Sequence, residues 1–299
     1  MKFIFEKDGI QNCGSIYKKK DCLKLIRDVK KNRDFKKIFF SKKEYQKSSK
    51  TPFGSNPKPG YNLLHKLDCK FIFDNKKFKK EMIKTLGENY RVLDYKLVMG
   101  VPDSYLPKWI VKETLNQHTI NLGMYIKPKF RDITYFRGID FHQDIIDYPT
   151  RISDFITAYL YLDKVNKNTS PLHLIPGSHK LGIGQYPHKI IINKKKILYT
   201  NKNETIRSKF HILLGNQGSL SYWHPFILHG TQPQKNDLPR ISVRLLLEKN
   251  RYCQINCALD RVNNRIKGKK RIKITQKEYT KDGKIKIKGN KIVEFLTKI

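Results

Sequence analysis

Acidic residues are scarce in this chain: 26 Asp and Glu stand against 62 Lys and Arg in 299 residues, a formal net charge of +36 at pH 7. A surface this basic concentrates anions, so nucleic acid, acidic membranes and anionic small molecules are the partners it raises. Lys, Ile and Asn dominate and Lys outnumbers Arg several-fold, which AT-rich coding also produces. Bidentate phosphate readers favour the planar Arg fork, so the charge alone does not select nucleic acid. Cysteine is sparse as well. Cys13, Cys22, Cys69, Cys253 and Cys257 form an odd set, which argues against a secreted disulfide framework and fits a reducing, cytoplasmic setting. Cys253 and Cys257 are four apart with no second pair nearby, which excludes the usual zinc pattern. No run approaches the roughly 20 apolar residues of a membrane-spanning helix. The start, Met1-Lys2-Phe3-Ile4-Phe5-Glu6, meets charge too early for a signal peptide.

What is present is enough for a real core. Hydrophobic residues make up 38% of the chain and aromatics 11%, which excludes a disordered polybasic protein. The length is ample for one large domain or two small ones, and three zones are visible with no internal repeat. Residues 1–117 read as a helical or mixed N-terminal layer, with helices expected over Phe78–Glu88 and Pro107–Gln117, the latter with Pro107 in its first turn. Residues 118–250 carry short β-rich runs: Ile120–Ile126, Ile133–Phe141, Phe155–Leu162, Leu172–Ile175, Leu220–Leu228 and Ile241–Leu247. Such a series predicts a mainly β fold with flanking helices, arranged as a jelly roll. Pro187–Phe210 interrupts it as a Lys-rich insertion, a candidate lid or substrate-reading element or else a solvated loop. Residues 251–299 form a basic C-terminal extension in which Asp282-Gly283 separates two alternating runs, Lys270–Thr275 and Lys284–Lys288, as in a small hairpin. Few aromatics accompany its charge, which weakens a single-strand-binding role.

One constellation carries chemistry. His142-Gln143-Asp144 is followed 87 positions later by His229 and eleven after that by Arg240. A His and a carboxylate two apart on a strand share a face. A His from a distant strand then completes a facial set of two imidazoles and one carboxylate, which leaves positions open on an Fe(II) ion. Arg240 offers a fork for a carboxylate, and Arg244, four residues on and on the same strand face, competes with it for that role. Ser242 stands between them. His224 reads as a wall or core His, His173 as packed in a strand, and His179 as ordering a turn.

These residues sit in a longer pattern. His142-Gln143-Asp144 with Arg151-Ile152-Ser153-Asp154, then Leu172-His173-Leu174-Ile175-Pro176-Gly177-Ser178-His179-Lys180, then His224-Pro225-Phe226-Ile227-Leu228-His229-Gly230-Thr231 with Pro239-Arg240 resemble the phytanoyl-CoA dioxygenase family of Fe(II)/2-oxoglutarate oxygenases. The blocks span roughly residues 118–250, and the Pro-Gly-Ser-His-Lys block favours this family over other 2-oxoglutarate oxygenases. The resemblance implies a double-stranded β-helix of cupin-like type. It implies that His142, Asp144 and His229 hold iron and that Arg240 binds the distal carboxylate of 2-oxoglutarate, with Thr231 and Met124 also at the cosubstrate. It further implies O₂-dependent hydroxylation of a C–H bond, with succinate and CO₂ as co-products. The carboxylate of Asp144 argues against halogenation, since related halogenases lack it.

The expectation is an Fe(II)/2-oxoglutarate-dependent dioxygenase acting on a small, anionic metabolite. Two other readings remain at this stage. One is an oxygenase acting on nucleic acid, whose binding would weaken steeply with salt. The other is a non-catalytic jelly roll that binds a ligand, which failure to bind iron would favour.

Overall fold

The computed structural model describes residues 3–31, 33–48, 57, 61–115, 119–147, 152–184, 188–193, 196–234, 237–250 and 256–266. The strands are β1 (Ile10–Ser15), β2 (Arg91–Gly100), β3 (Thr119–Asn121), β4 (Thr134–His142), β5 (Phe155–Tyr161), β6 (Leu172–Leu174), β7 (Lys189–Asn193), β8 (Lys196–Asn201), β9 (Glu204–Ser208), β10 (His211–Leu213), β11 (Ser219–Trp223), β12 (His229–Thr231) and β13 (Arg240–Glu248). The helices are α1 (Phe5–Asp8), α2 (Lys19–Lys30), α3 (Lys42–Lys47), α4 (Lys70–Phe73), α5 (Lys76–Leu86), α6 (Lys108–Thr114) and α7 (Ala258–Arg265). No described helix is long and apolar enough to cross a membrane.

One sheet runs in the order β1-β11-β5-β13-β2-β4-β12-β6-β10, with β3 added to β4. Its neighbours pair antiparallel except β2 and β4, whose short parallel contact joins Val98–Gly100 to Thr134–Phe136. That contact is the seam between two layers, β1-β11-β5-β13-β2 and β4-β12-β6-β10. Away from the seam β5 of the first layer reaches β10 of the second. Val165 and Gly215 form an isolated bridge, and Tyr161 Oη donates to Leu213 O at 3.0 Å. Side chains of both layers pack in one interior cluster: Val98, Tyr159 and Tyr161 with Leu172, Leu174 and Leu213. The two layers thus face each other across a closed interior, and the fold is the jelly roll that the run of short strands predicts.

Alternation assigns the faces. On β13, Ile241, Val243 and Leu245 belong to the large core under the helices, while Arg240, Ser242 and Arg244 lie between them and face the barrel interior. Every residue of this strand is buried, because helices cover one face and the opposite layer covers the other. The covering layer is amphipathic at helical spacing. Cys22, Leu25, Ile26 and Val29 of α2, and Phe78, Met82 and Leu86 of α5, are its buried positions. Each contributes on the order of 1.5–3 kcal/mol by leaving water.

The helices lie close to where the pattern places them. In α5 the Asn75 side chain accepts from Phe78 N at 3.0 Å, which starts the helix, and Gly87 at φ +85° ends it. Pro107 is the N-cap of α6. Two strands are shorter than expected. The run from Ile120 breaks at Asn121, whose Oδ1 accepts from Gly123 N at 3.0 Å and bends the chain into a 3₁₀ turn, Gly123–Tyr125. The run from Leu220 breaks at Trp223, because Pro225 has no N–H for a ladder and Ile227 N turns back to His224 O at 2.9 Å. β1 and β2 were not foreseen. They come from the N-terminal zone yet pair within the main sheet, so the position 118 boundary does not divide it.

The Lys-rich insertion is not a bare loop. It folds as an antiparallel sheet β7-β8-β9, with Ile197 and Tyr199 buried against Phe141, Ile175 and Leu228. The hairpin expected over Lys270–Lys288 lies outside the described residues. The beginning of the C-terminal extension is α7, tied to α1 by Arg261 donating to Glu6 Oε1 at 2.7 Å.

Truncating the helix layer should weaken the fold without touching the barrel interior. Met82→Ala is expected to lose about 2–5 kcal/mol in denaturant unfolding, with divalent-metal binding by the folded fraction unchanged.

Candidate metal centre

β4 ends at His142, and Asp144 opens the following 3₁₀ turn, Asp144–Asp147. The two ligand candidates therefore do not both lie on a strand, as their spacing alone suggests, but flank its end. His229 begins β12 directly opposite His142 in the ladder, the cross-strand position at which side chains touch. The two imidazole rings are 4.3 Å apart between centroids. One ligand atom from each of His142, Asp144 and His229 can be chosen so that all lie within 4.8 Å of one another.

The hydrogen bonds around this cluster orient each atom. His142 Nδ1 is 2.9 Å from Asp140 O and His229 Nδ1 is 3.0 Å from Ile227 O. A carbonyl only accepts, so each Nδ1 carries the proton, and each Nε2 offers a lone pair. Asp144 Oδ2 lies 3.6 Å from His229 Nε2 and accepts from Trp223 Nε1 at 3.0 Å. Asp144 Oδ1 accepts from Arg244 Nη2 at 2.7 Å. Burial opposes ionisation of Asp144, but His229, Arg244 and His142 beside it outweigh burial and hold its pKa well below the usual carboxylate range. Burial pushes the His229 imidazole down to about 4 against the pull of Asp144. A neutral His229 and an ionised Asp144 are the states a divalent metal requires.

A second set of polar atoms lies further along the same interior face. Arg240 begins β13 opposite Gly100. Arg240 Nη1 donates to Ser170 O. Arg240 Nε and Ser242 Oγ are buried with no hydrogen-bond partner among the described residues, a pairing that suits a carboxylate. Thr231 is buried two residues after His229 on β12 and pairs with Leu172 and Ile139. From Arg244, at Asp144, to Arg240 the strand covers about 13 Å. The three ligands suit one divalent ion, and the unpartnered Arg240 Nε and Ser242 Oγ on the same strand face suit a carboxylate.

Met124 lies in the Gly123–Tyr125 turn and packs against the large core. The sheet register sets Arg240 opposite Gly100, Gly100 opposite Phe136 and Phe136 opposite Asn121, three residues before Met124. Arg244, the sequence competitor for the cosubstrate, is instead engaged by Asp144.

Gln143 and Trp223 carry no obvious signal in the sequence, whereas Ser178 lies in the Pro-Gly-Ser-His-Lys block. Gln143 points away from its neighbours' cluster and clamps two loops. Its Nε2 donates to Gly182 O at 3.0 Å and Phe226 O at 2.8 Å, and its Oε1 accepts from Gly184 N at 2.9 Å. Ser178 of the Pro-Gly-Ser-His-Lys block accepts from Leu228 N at 2.8 Å, and Ile175 N bonds Leu228 O, so this block holds the residue before His229 from both sides. Gly177 turns the chain there at φ +81°. Trp223 stacks on Tyr159 with centroids 5.2 Å apart, which fixes the indole that bonds Asp144. Of the remaining histidines, His173 packs edge-on to Phe210, His179 lies in the turn after Gly177 against His224, and His224 Nε2 donates to Asn263 Oδ1 at 3.1 Å. The insertion is fastened behind the site: Asn201 donates to Leu181 O and Ile183 O at 2.7 and 3.0 Å.

Comparison with known proteins decides the lineage. The family model for phytanoyl-CoA dioxygenase matches residues 31–242. The chain belongs to the phytanoyl-CoA dioxygenase family. That family is one of Fe(II)/2-oxoglutarate oxygenases. A curated relative, a probable alpha-ketoglutarate-dependent hypophosphite dioxygenase of Stutzerimonas stutzeri, is 27% identical over 106 residues, 34% of this chain and 36% of the relative. The matched stretch is thus about a third of either protein. Similar solved structures include the non-heme alpha ketoglutarate dependent epimerase SnoN of nogalamycin biosynthesis, at TM-score 0.49 and 11% identity over 82% of this chain and 79% of that one. HygX from Streptomyces hygroscopicus, solved with nickel and 2-oxoglutarate, has TM-score 0.44 and 9% identity over 85% and 88% of the two chains. These likenesses are too distant to bear on the chemistry of this phytanoyl-CoA dioxygenase family member.

Two outcomes follow from the geometry. Gln143→Leu leaves three buried backbone partners unsatisfied and should cost about 2–5 kcal/mol in chemical unfolding, with weaker metal retention because both loops flank the ligands. Burial lowers the His179 pKa well below the usual value, and that of His224 to about 4. Unfolded, both would protonate near 6.5, so the stability they contribute is complete above that pH and is lost as pH falls towards 4. Metal-free unfolding at stepped pH should show this decline, and His224→Gln should flatten it.

Proposed function

We propose that this chain is an Fe(II)- and 2-oxoglutarate-dependent dioxygenase that hydroxylates a C–H bond of a small, anionic metabolite, releasing succinate and CO₂. The carrying observation is the convergence of His142, Asp144 and His229 at one end of an interior face whose other end presents the Arg240 Nε and the Ser242 Oγ without partners. In this reading His142 Nε2, His229 Nε2 and Asp144 Oδ2 hold the iron. Arg240 binds the distal carboxylate of 2-oxoglutarate, Ser242 and Thr231 line its path, and Met124 stands in the turn beside the Arg240 end. Bound there, iron would supply open coordination positions and a redox centre through which O₂ takes two electrons from 2-oxoglutarate, released as succinate and CO₂, and two from the substrate C–H bond.

The residues of the chain do the positioning. The Asp140 and Ile227 carbonyls keep the two imidazoles in the tautomer that ligates. Trp223 and Arg244 keep Asp144 ionised in a buried place, and the stacked Tyr159 and Trp223 exclude water from one wall. An anionic substrate is supported by the +36 formal charge and by similarity to an enzyme whose named substrate, hypophosphite, is a small anion. The whole chain is taken as one oxygenase unit to which the insertion and the basic C-terminal extension are accessories.

Anaerobic addition of Fe(II) and 2-oxoglutarate should produce the weak visible charge-transfer band of this enzyme class. His142→Ala should abolish it. Arg240→Met should retain metal binding and raise the 2-oxoglutarate requirement by about two orders of magnitude, the scale for removing one partner of a buried charge pair. Oxygen-dependent succinate formation is the accompanying activity. Absence of the band from folded wild-type protein, with no succinate formed, would refute the reading.

A further inference from the structure

We infer that His211 binds the substrate: its Nε2 donates to an anionic oxygen of the metabolite and so fixes which carbon is presented for oxidation. This rests on the function proposed above and adds a residue on the substrate side of the site.

Sheet register places the imidazole. His142 lies opposite His229, His229 opposite Leu174, and Leu174 opposite His211. Residues directly opposite one another in an antiparallel ladder project to the same side. His211 therefore faces the barrel interior together with the two histidine ligands, two strands beyond His229 and about 10 Å along the rung. The flanking residues agree. Leu213 and Leu172 lie in the interior cluster, whereas Phe210 and His173, each one residue out of step, meet on the outer face beneath the insertion.

The rung then divides its chemistry. His142 and His229 serve the metal, and Leu174 is apolar. His211 Nε2 is buried with no hydrogen-bond partner among the described residues. A buried polar nitrogen left unpaired is costly, and a ligand oxygen relieves that cost. Burial also pushes the His211 pKa down to about 4, so at neutral pH the ring is uncharged and carries one proton. An anionic acceptor selects the tautomer with that proton on Nε2. Arg240 is committed to the cosubstrate and Arg244 to Asp144, so the charge of the substrate falls to a group outside that path.

The N-terminal segment encloses the same place. Phe3 is buried, belongs to the interior cluster and lies against the His211 ring with centroids 4.1 Å apart. From there the chain crosses to the other layer. Asp8 O accepts from Gly177 N and Gly9 O from His224 N, both at 2.9 Å. Ile10 then stands opposite Trp223, the indole that bonds Asp144. Residues 3–10 thus run from β10 to β11 as a wall beside the ligands, with Phe3 covering His211. The distance along the rung suits a small molecule, with a few heavy atoms between its anionic group and the carbon to be oxidised.

The test is histidine-selective nitrogen NMR of the full-length protein, loaded with Zn(II) and 2-oxoglutarate and titrated separately with methylphosphonate, sulfate and acetate. The His211 signals are assigned by their loss in His211→Phe, which keeps a ring against Phe3. Wild type should bind at least one of the three anions saturably, with the His211 Nε2 signal moving to that of a hydrogen-bonded N–H and His173 on the outer face unmoved. His211→Phe should bind that anion about 10–100-fold more weakly, the scale for a hydrogen bond to a charged group. His211→Gln, which keeps an amide donor, should recover part of the loss. If His211→Phe does not fold, His211→Leu is read in its place. No saturable shift of His211 with any of the three anions would overturn the proposal, as would undiminished affinity in the apolar variants. Shifts confined to His142 and His229 would put the anion on the metal and would overturn it too. Failure of wild type to bind Zn(II) or 2-oxoglutarate would bring down the function proposed above, whereas normal loading with an indifferent His211 would bring down this proposal alone.

Discussion

A buried, ionised carboxylate is the constraint around which the interior is arranged. Asp144 is enclosed, and a carboxylate removed from water must be compensated by charges and donors that reach it in fixed directions. Trp223 and Arg244 supply two such donors from β11 and β13, while His142 and His229 stand beside it from β4 and β12. These four strands come from both layers of the jelly roll. Closure of the sheet is therefore not separate from the site: an open sheet would leave Asp144 with partners from one layer only.

The same logic explains why β13 is wholly buried yet carries two arginines. Its outward residues Ile241, Val243 and Leu245 seal the helix layer, so the inward ones are free to be polar, and they line a path from the metal ligands to Arg240. The loops beyond the ligands are fixed with similar economy. Gln143 sits between two ligands in sequence but uses its amide to tie the loops at Gly182–Gly184 and Phe226. Ser178 then ties the Pro-Gly-Ser-His-Lys turn to the residue before His229. The ligands are thus held from behind by neutral hydrogen bonds, which leaves the charged groups inside to the metal and its cosubstrate.

Much of this was legible in the sequence, for identifiable reasons. His142, Asp144 and His229 stand at the ends of strongly β-patterned runs, and Arg240 opens the next one, so spacing and strand order bring them together. A helix was legible over Phe78–Glu88, and the Asn75 cap and Gly87 shift its bounds to Lys76–Leu86. β2 was missed because its outer half, Arg91 to Tyr95, is mixed and partly exposed, and its inner half is short. A period of two puts Arg240 and Arg244 on one face; spacing from His229 favours Arg240 for the cosubstrate, and Asp144 engages Arg244. The supporting role of Trp223 depends on the β5–β11 pairing, which local sequence does not encode.

The most direct test of the account is a crystal structure of the full chain grown anaerobically with Fe(II), with an anomalous difference map measured at the iron edge. The account predicts a single strong peak bonded to His142 Nε2, His229 Nε2 and one oxygen of Asp144, at about 2.0–2.2 Å by analogy with other divalent sites. A peak held by other residues, or none at this cluster in fully loaded crystals, would contradict it.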